Sequence, residues 1–406
     1  SPTFLEGGSY KMPYAFYYNH TFSLIDSTPK NGLFCQFFSS SHSPKPIQLQ
    51  FQNTKEYSAH MDENGKLYVA AMPNASHLNY YILENNRFSK SSLISNTSSN
   101  YSLSSPIIYT LNHTPYIVYL SHQIHSNIYN FVSENLSHSN LTTLLTTHQA
   151  PESIKYFTTP SGVYIFYISF EESYCLNALY ITPQSSKVLT FITSNEPISD
   201  YSICIDENII HITYVTELHG KYQLFYYNTN HHTVVPLATT QYPSHPVVFC
   251  YYHALWINAI IEHKLHMYIS VDQGITFSLP VPCSLQNNIH LCHFQSPTTH
   301  SLVAQELYAS ISSTFKLCTI AMIDIDGLHS EVGIAPELEL LLEGFLFASR
   351  QPSPPQVSPA PSPSTPTVSS PTKPRYTTPP SSYHSVENAK NAFMEQDLSW
   401  DLPPRI

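Results

Sequence analysis

Charge is scarce in this chain. Only 11% of its 406 residues are Asp, Glu, Lys or Arg, and the balance is acidic, at −11; an average protein carries roughly 25%. Arginine is nearly missing, the full set being Arg87, Arg350, Arg375 and Arg405. An acidic, arginine-poor surface neutralises few phosphates, which excludes nucleic acid as the main partner. Glycine is rare at 10 residues. Neither a glycine-rich phosphate loop nor a Gly-x-Ser-x-Gly elbow is present, so nothing nominates a nucleotide cofactor or an acyl-transfer nucleophile. No apolar run reaches the roughly 18 residues of a membrane span. No secretory leader is visible, although a chain beginning at Ser1 leaves an upstream segment open.

Cysteine lacks a pattern rather than numbers. Cys35, Cys175, Cys204, Cys250, Cys283, Cys292 and Cys318 are odd in count, with no CxxC. Most sit in apolar runs such as Val247-Val-Phe-Cys-Tyr251, which reads as buried, reduced thiols acting as small hydrophobes. With no framework of Cys pairs and no leader, the expected location is a bacterial cytoplasm, the alternative being secretion or the cell surface. Seven Asn-x-Ser/Thr sequons, at Asn19, Asn74, Asn96, Asn100, Asn112, Asn135 and Asn140, are weak evidence for the alternative in a chain this rich in Asn, Ser and Thr.

What the chain has is aromatic strands. Thirty Tyr, 21 Phe and a hydrophobic share of 42% supply a sizeable core. A unit recurs. Its first strand reads Phe22-Ser-Leu-Ile-Asp26, Tyr57-Ser-Ala-His-Met-Asp62, Pro106-Ile-Ile-Tyr-Thr110, Ile154-Lys-Tyr-Phe157, Tyr201-Ser-Ile-Cys-Ile-Asp206, Val247-Val-Phe-Cys-Tyr-Tyr252 and Ile289-His-Leu-Cys-His-Phe294. Turns follow, such as Asp62-Glu-Asn-Gly65, Asn112-His-Thr-Pro115 and Asp206-Glu-Asn208. A more apolar second strand, a third after a polar loop, and a short fourth (Val188–Ile192, Val234–Leu237) complete it. Units begin near 22, 57, 106, 154, 201, 247 and 289, at steps of 35, 49, 48, 47, 46 and 42 residues. A four-stranded unit at this period implies an all-β fold, a β-propeller over residues 1–330 with seven blades, six or eight being the alternatives. The last unit lacks a clear fourth strand, and residues 13–18 are expected to supply it, closing the ring and removing an open edge.

Beyond the propeller, residues 331–350 read as a helix, with Pro336 in its first turn and Glu337 and Glu339 at its positive end. Residues 351–382 form a Pro/Ser/Thr-rich, disordered linker; 11 of the 30 residues from 351 to 380 are proline. Residues 383–406 have helical spacing, and Phe393, Leu398 and Trp400 give them a sticky face suited to docking on a partner protein.

One stretch stands out: Ser270-Val-Asp-Gln-Gly-Ile-Thr-Phe277. Asp272 can accept backbone N–H groups of its own turn, Gly274 can take φ > 0, and Phe277 can fall back onto the sheet. Ser270, Asp272, Gly274, Thr276 and Phe277 resemble the Asp-box, or BNR repeat, of the sialidase-like β-propeller superfamily, which implies a folding device rather than a catalytic element. Tyr227-Asn-Thr-Asn-His-His232 is a degenerate version at the same place in the preceding unit. The same resemblance raises sialidase activity, which would need three arginines on the substrate carboxylate, a Tyr–Glu pair and an Asp acid. Arg87 is the sole arginine of the propeller region, and Lys is a poor substitute for a bidentate guanidinium, so that site cannot be built.

No other chemistry is nominated. Glu171, Glu172 and Glu217 lie in loops, and Asp26, Asp62 and Asp206 recur where turns begin. His290 and His293 stand three apart on a strand and face opposite sides, giving no metal site. No catalytic residue, cofactor or metal is expected. The leading function is a non-enzymatic scaffold for protein partners. The alternative is a carbohydrate binder, lectin-like or a glycosidase without the sialidase residues, with Tyr side chains, Trp256 and carboxylates gathered in one pocket.

Overall fold

The computed structural model describes residues 12–317, apart from 20, 39–45, 52–53, 85–86, 95–97, 99, 252–253, 284–288, 298–301 and 312–314. The helix expected at 331–350, the linker and the docking segment lie outside the described residues. Among the described residues every regular element is a strand, and six sheets hold them all.

The first sheet contains β1 (Tyr14–Tyr18), β2 (Thr21–Thr28), β3 (Gly32–Phe38) and β4 (Ile47–Gln50). The second contains β5 (Glu56–Met61), β6 (Leu67–Asn74), β7 (His77–Glu84) and β8 (Arg87–Ile94). The third runs through β9 (Tyr101–Leu111), β10 (Thr114–Gln123), β11 (Ile128–Asn135) and β12 (Asn140–Thr147). The fourth follows with β13 (Glu152–Thr159), β14 (Gly162–Phe170), β15 (Tyr174–Ile181) and β16 (Ser186–Ser194). The fifth is β17 (Ile198–Asp206), β18 (Ile209–Leu218), β19 (Lys221–Asn228) and β20 (Val234–Thr240). The sixth has β21 (Val247–Tyr251), β22 (Ala254–Ile261), β23 (Lys264–Ser270) and β24 (Val281–Pro282). Each is an antiparallel meander, and the first strands pack on one another around the ring. The architecture is a β-propeller with four-stranded blades, six of them.

The expected seventh blade does not form. Its strands β25 (Ile289–Gln295), β27 (Glu306–Ile311) and β28 (Phe315–Leu317) join the first sheet, because β25 pairs with β1. The pairing is parallel (Tyr14↔His293, Ala15↔Phe294, Phe16↔Gln295). First strands of successive blades all run the same way along the axis, so two of them meeting edge to edge can only be parallel. Residues 13–18 therefore do tie the N-terminal end to the last unit, but as the inner strand of the first sheet rather than an added outer strand. The stretch from Phe22 to Asp26 is correspondingly a second strand. A short strand, β26 (Leu302–Ala304), leaves the last unit and pairs antiparallel with β21 of the sixth sheet.

Alternation explains the packing. In β6, Leu67, Val69 and Ala71 join the cluster shared with the first sheet, while Tyr68, Ala70 and Met72 join the cluster shared with the third. A strand between two blades buries both faces, so it reads as a continuous apolar run rather than an alternating one. The outer strands, by contrast, are largely exposed, as in β8 and β12. Turns follow local rules: Asn112 and His113 both have positive φ (48° and 61°), as do Glu207 and Asn208 (46° and 70°), which type I′ hairpins require.

Ring closure makes β1 a test of the architecture. Tyr14, Phe16 and Tyr17 are all buried, and full burial of one such side chain contributes about 1.5–3 kcal/mol. Deleting residues 1–18 should cost on the order of 5 kcal/mol, lower the urea midpoint sharply and expose the free edges of β2 and β25 to aggregation. An unchanged midpoint in chemical denaturation would contradict this closure.

Candidate functional site: the axial cleft

The Asp-box-like stretch is a turn between β23 and β24. Ser270 Oγ donates to Asp272 Oδ1 (2.7 Å) and accepts from Gly274 N (2.8 Å). Asp272 also accepts from Thr276 N (2.9 Å) and Thr276 Oγ1 (2.6 Å). These donors hold the Asp272 carboxyl below its ordinary range, against the opposing pull of burial. Gly274 has φ +85°, and a Cβ there would lie 2.3 Å from the Tyr226 ring. Phe277 meets Tyr226 edge-on at 4.9 Å. In the preceding blade, Asn228 Oδ1 caps the equivalent turn through Asn230 N and His231 N, and Asn228 Nδ2 reaches across to Gln273 O (3.0 Å). All five residues of this stretch sit together in one turn of the sixth blade, packed against Tyr226 of the fifth. Phe393, Leu398 and Trp400 lie outside the described residues. Trp256 is fully buried in the sixth blade and lines neither cavity described below, which corrects the expectation that a carbohydrate site would gather it with Tyr side chains and carboxylates.

The cavity lies at the ends of the inner strands. A cleft of about 530 Å³ is walled by β1 (Tyr14–Phe16) and by the ends of β5, β9, β13 and β25, with Leu302–Gln305 across one side. Its rings are Tyr14, Phe16, Tyr156, Phe157 and Phe294, and its polar groups include His60, Thr110, Asn112, Gln295 and Ser296. Among the described residues no Lys or Arg lines it. A recess of about 210 Å³ opens from the other ends of the same strands, lined by Met12, Glu56, Tyr57 and Lys155 among others. Tyr14, Tyr156 and His293 border both.

The polar wall is pre-set. Gln295 Nε2 donates to His60 Nδ1 (3.0 Å), so His60 carries its proton on Nε2 and gives it to Thr110 Oγ1 (2.9 Å). Gln295 Oε1 accepts from Met61 N (3.0 Å). Burial lowers His60 to about 3, keeping it neutral. His293 stacks on Tyr14 at 4.3 Å. Its ring is lowered to about 3 by burial and by the nearby Lys155, against a hydrogen bond to the backbone of Gln305. A carbonyl only accepts, so that bond fixes the proton on one nitrogen; Nδ1 has no partner, and neither does Ser296 Oγ on the same wall. The acidic rim is already engaged. Asp62 accepts from Asn64 N and Lys66 N, and Glu63 pairs with His113 across to the third blade (2.8 Å).

Beside the recess lies the one buried ion cluster among the described residues. Lys155 Nζ is 3.0 Å from Glu306 and 3.5 Å from Asp200, and it donates to Tyr201 O. Its side chain is 13% exposed and that of Glu306 is 1%. Burial opposes the ammonium, but Glu306 and Asp200 hold Lys155 above its ordinary value. Burial raises Glu306 despite Lys155, whereas Asp200, also bonded to His245 (3.0 Å), ends below its ordinary value. Among the described residues no group of three or more His, Cys, Asp or Glu could hold a metal ion. Nor is any helix there long and apolar enough to cross a membrane. Arg87 is exposed at the start of the outer strand β8, far along the blade from the inner-strand cleft. Composition gave no sign of His293, Ser296 or the Lys155 cluster. The signal available was a lone lysine inside a first-strand run, Ile154-Lys-Tyr-Phe157.

No protein-family model matches the chain, and no curated protein matches it. Among solved structures it is similar to the SapL1 lectin in complex with alpha methyl fucoside. The identity is 9% and the TM-score 0.42, over 68% of this chain and 97% of that one. It is also similar to a mutant of AofleA from Arthrobotrys oligospora with three arginines changed to alanine. There the identity is 8% and the TM-score 0.41, over 68% of this chain and 89% of that one. Likeness at this level carries no argument about ligands.

Two substitutions test this geometry. Gly274→Ala places a Cβ at positive φ and against Tyr226, and should cost about 1–3 kcal/mol in chemical denaturation. Lys155→Met strands two buried carboxylates and should cost about 3–5 kcal/mol at pH 8. In the native chain, Asp200, depressed, contributes stability above its ordinary pKa and loses it as pH falls. Without the ammonium, burial and mutual repulsion raise both carboxyls, so their folded pKa values exceed the unfolded ones and the variant gains stability as pH falls. The gap in melting temperature between native chain and variant should therefore narrow from pH 8 to pH 5, and adding Glu306→Gln should narrow it at pH 8. A gap that widens on acidification would rule this cluster out as the cause.

Proposed function

We propose that this protein is a non-enzymatic propeller that binds a small neutral carbohydrate in the axial cleft. The observation that carries the reading is the composition of that wall. Among the described residues it holds five aromatic residues and uncharged polar groups, no Lys or Arg, and only two carboxylates, Asp62 and Glu63, both already engaged. Aromatic faces suit the C–H face of a sugar ring, and fixed acceptors suit its hydroxyls. His293 Nδ1 and Ser296 Oγ, two of the buried unpartnered polar atoms, belong to residues that border the cleft, and a ligand hydroxyl would satisfy them after a small shift of the wall. With no cation on the wall, an acidic sugar or a phosphate would lose its hydration without a counter-charge. Catalysis finds no support: Asp62 is tied into a turn and Glu63 contacts His113, so neither is poised as an acid–base partner. The protein-scaffold expectation rests on residues 383–406, outside the described residues, and the cleft gives it no support. Kinship with Asp-box propellers is likewise a proposal, supported by the hydrogen bonding of Ser270, Asp272 and Thr276.

A panel of neutral and acidic glycans, read by calorimetry on the full chain, tests the proposal. Neutral mono- or disaccharides should bind. Ala304→Trp fills the cleft from β26 without removing a core side chain, and should weaken that binding at least tenfold while the melting temperature holds. Preference for acidic glycans, or binding that survives Ala304→Trp, would move the site elsewhere. Silence across the panel would sink the carbohydrate reading.

A further inference from the structure

We propose that Cys204 and Cys250 form a modification site: a buried dithiol that closes to a disulfide between the fifth and sixth blades and, in closing, alters the β26 wall of the axial cleft. The second half rests on that cleft being the binding site.

The pair follows from register. Ser58 Oγ accepts from Ile108 N (3.2 Å), and two residues further along each strand His60 meets Thr110 (2.9 Å). Ser202 Oγ accepts from Val248 N (3.2 Å), and two residues further along Cys204 meets Cys250, with sulfurs 3.6 Å apart. The repeated Tyr-Ser-x-x start, Tyr57-Ser-Ala-His60 and Tyr201-Ser-Ile-Cys204, thus sets the same cross-blade position twice. One interface fills it with a His–Thr hydrogen bond, the other with two thiols in van der Waals contact. Both cysteines are free, and both are buried, at 0% and 2%. Closing the bond shortens that contact to the roughly 2.05 Å of an S–S bond.

The consequence reaches the cleft through Val303. Cys204 Sγ also donates to Val303 O (3.3 Å). Cys250 is the strand partner of Val303 in the β21–β26 pairing. Leu302, Val303 and Ala304 form one wall of the cleft. A disulfide uses the hydrogen of the Cys204 thiol, so the Val303 carbonyl loses its donor and β26 is held by fewer bonds.

The chemistry balances with a small disulfide as oxidant. One thiolate attacks the oxidant's S–S bond and expels one small thiolate. The second protein thiolate attacks the mixed disulfide and expels the other. Two protein thiols are oxidised, one small disulfide is reduced to two thiols, and the two protons pass to the leaving thiolates. The Cys250 thiol sits well above its ordinary pKa through its bond to Cys204 and its burial, so the step requires local opening and is slow at neutral pH.

The test uses the full chain, incubated with oxidised glutathione and mapped by peptide mass spectrometry without reduction. A Cys204–Cys250 cross-linked peptide should appear, with two free thiols lost and a rate that rises roughly 25-fold from pH 7 to pH 9, as the thiolate fraction of an opened thiol of pKa about 8.5 does. Cys204→Ser and Cys250→Ser should each abolish the cross-link while leaving the other thiols alkylatable. Deuterium exchange of the peptide spanning 302–304 should rise severalfold on oxidation in the native chain and stay unchanged in both variants. Stable glutathione adducts in place of the cross-link, or cross-links to other cysteines, overturn the first half. A cross-link with unchanged exchange at 302–304 overturns the second. Neither readout involves a sugar, so failure here is distinct from failure of the carbohydrate reading.

Discussion

Everything in this ring depends on how the axial edges of its sheets are satisfied. Within its own blade each inner strand pairs on one side only, and its other edge turns a row of N–H and C=O groups toward the axis. An unsatisfied backbone group there costs about as much as a lost hydrogen bond. Side chains of the neighbouring blade serve those groups. Ser58 and Glu56 take N–H groups of β9, and Ser202 takes one of β21. Tyr156 donates to Ala59 O, Tyr201 to Ser153 O, and Lys155 to Tyr201 O. Where side chains do not serve, strands do: β25 covers the free edge of β1, and β26 that of β21. The polar residues buried on the inner strands are therefore the fasteners of the ring rather than defects in its core.

The same constraint explains a cluster that would otherwise be hard to justify. Burying Lys155, Glu306 and Asp200 together costs desolvation that ion pairing only partly offsets. Lys155 is nonetheless where three demands meet: a carbonyl of β17 to satisfy, Glu306 at the start of β27 to anchor, and Asp200 to neutralise. A hydrophobic replacement would meet none of them. The cluster ties the fourth and fifth blades to the last unit, which has no sheet of its own.

Much of the ring is legible in the sequence because it is local. Strand alternation, the turns at Asp62, Asn112 and Glu207, and the outer strands at 188–192 and 234–237 all lie where residue type and spacing place them. The polar turn of Ser270 to Phe277 folds on bonds within its own eight residues, so it too could be read in isolation. The errors are non-local. The parallel pairing of Tyr14 with His293 joins residues far apart in the chain and has no turn signal, so repeat spacing alone places the first unit one strand late and reads the last as a blade. Trp256 shows the limit on sites. Its type suggests a sugar platform, but its position on the middle of a second strand puts it under two faces of packing. The groups that do line the cleft are ordinary first-strand residues whose convergence depends on the ring closing.

The irregular last unit then becomes the informative part of the chain. Six blades offer near-equivalent surfaces, and a site built from the repeat alone would recur around the ring. The segment from Leu302 to Ala309 breaks that equivalence. Leu302–Ala304 cross to β21, Gln305 bonds to His293, Glu306 pins Lys155, and Leu307–Ala309 pair with β25. One short strip therefore fills the axis on one side, caps the sixth blade and bonds the histidine at the cleft wall, whose neutral state burial and Lys155 maintain against that bond. On the proposed reading, a ligand in that cleft would touch blades at their inner ends and the strip at its side, a combination that occurs once among the described residues. Specificity would then be carried by the residues that fail to repeat, while the repeats supply the rigid frame that holds them.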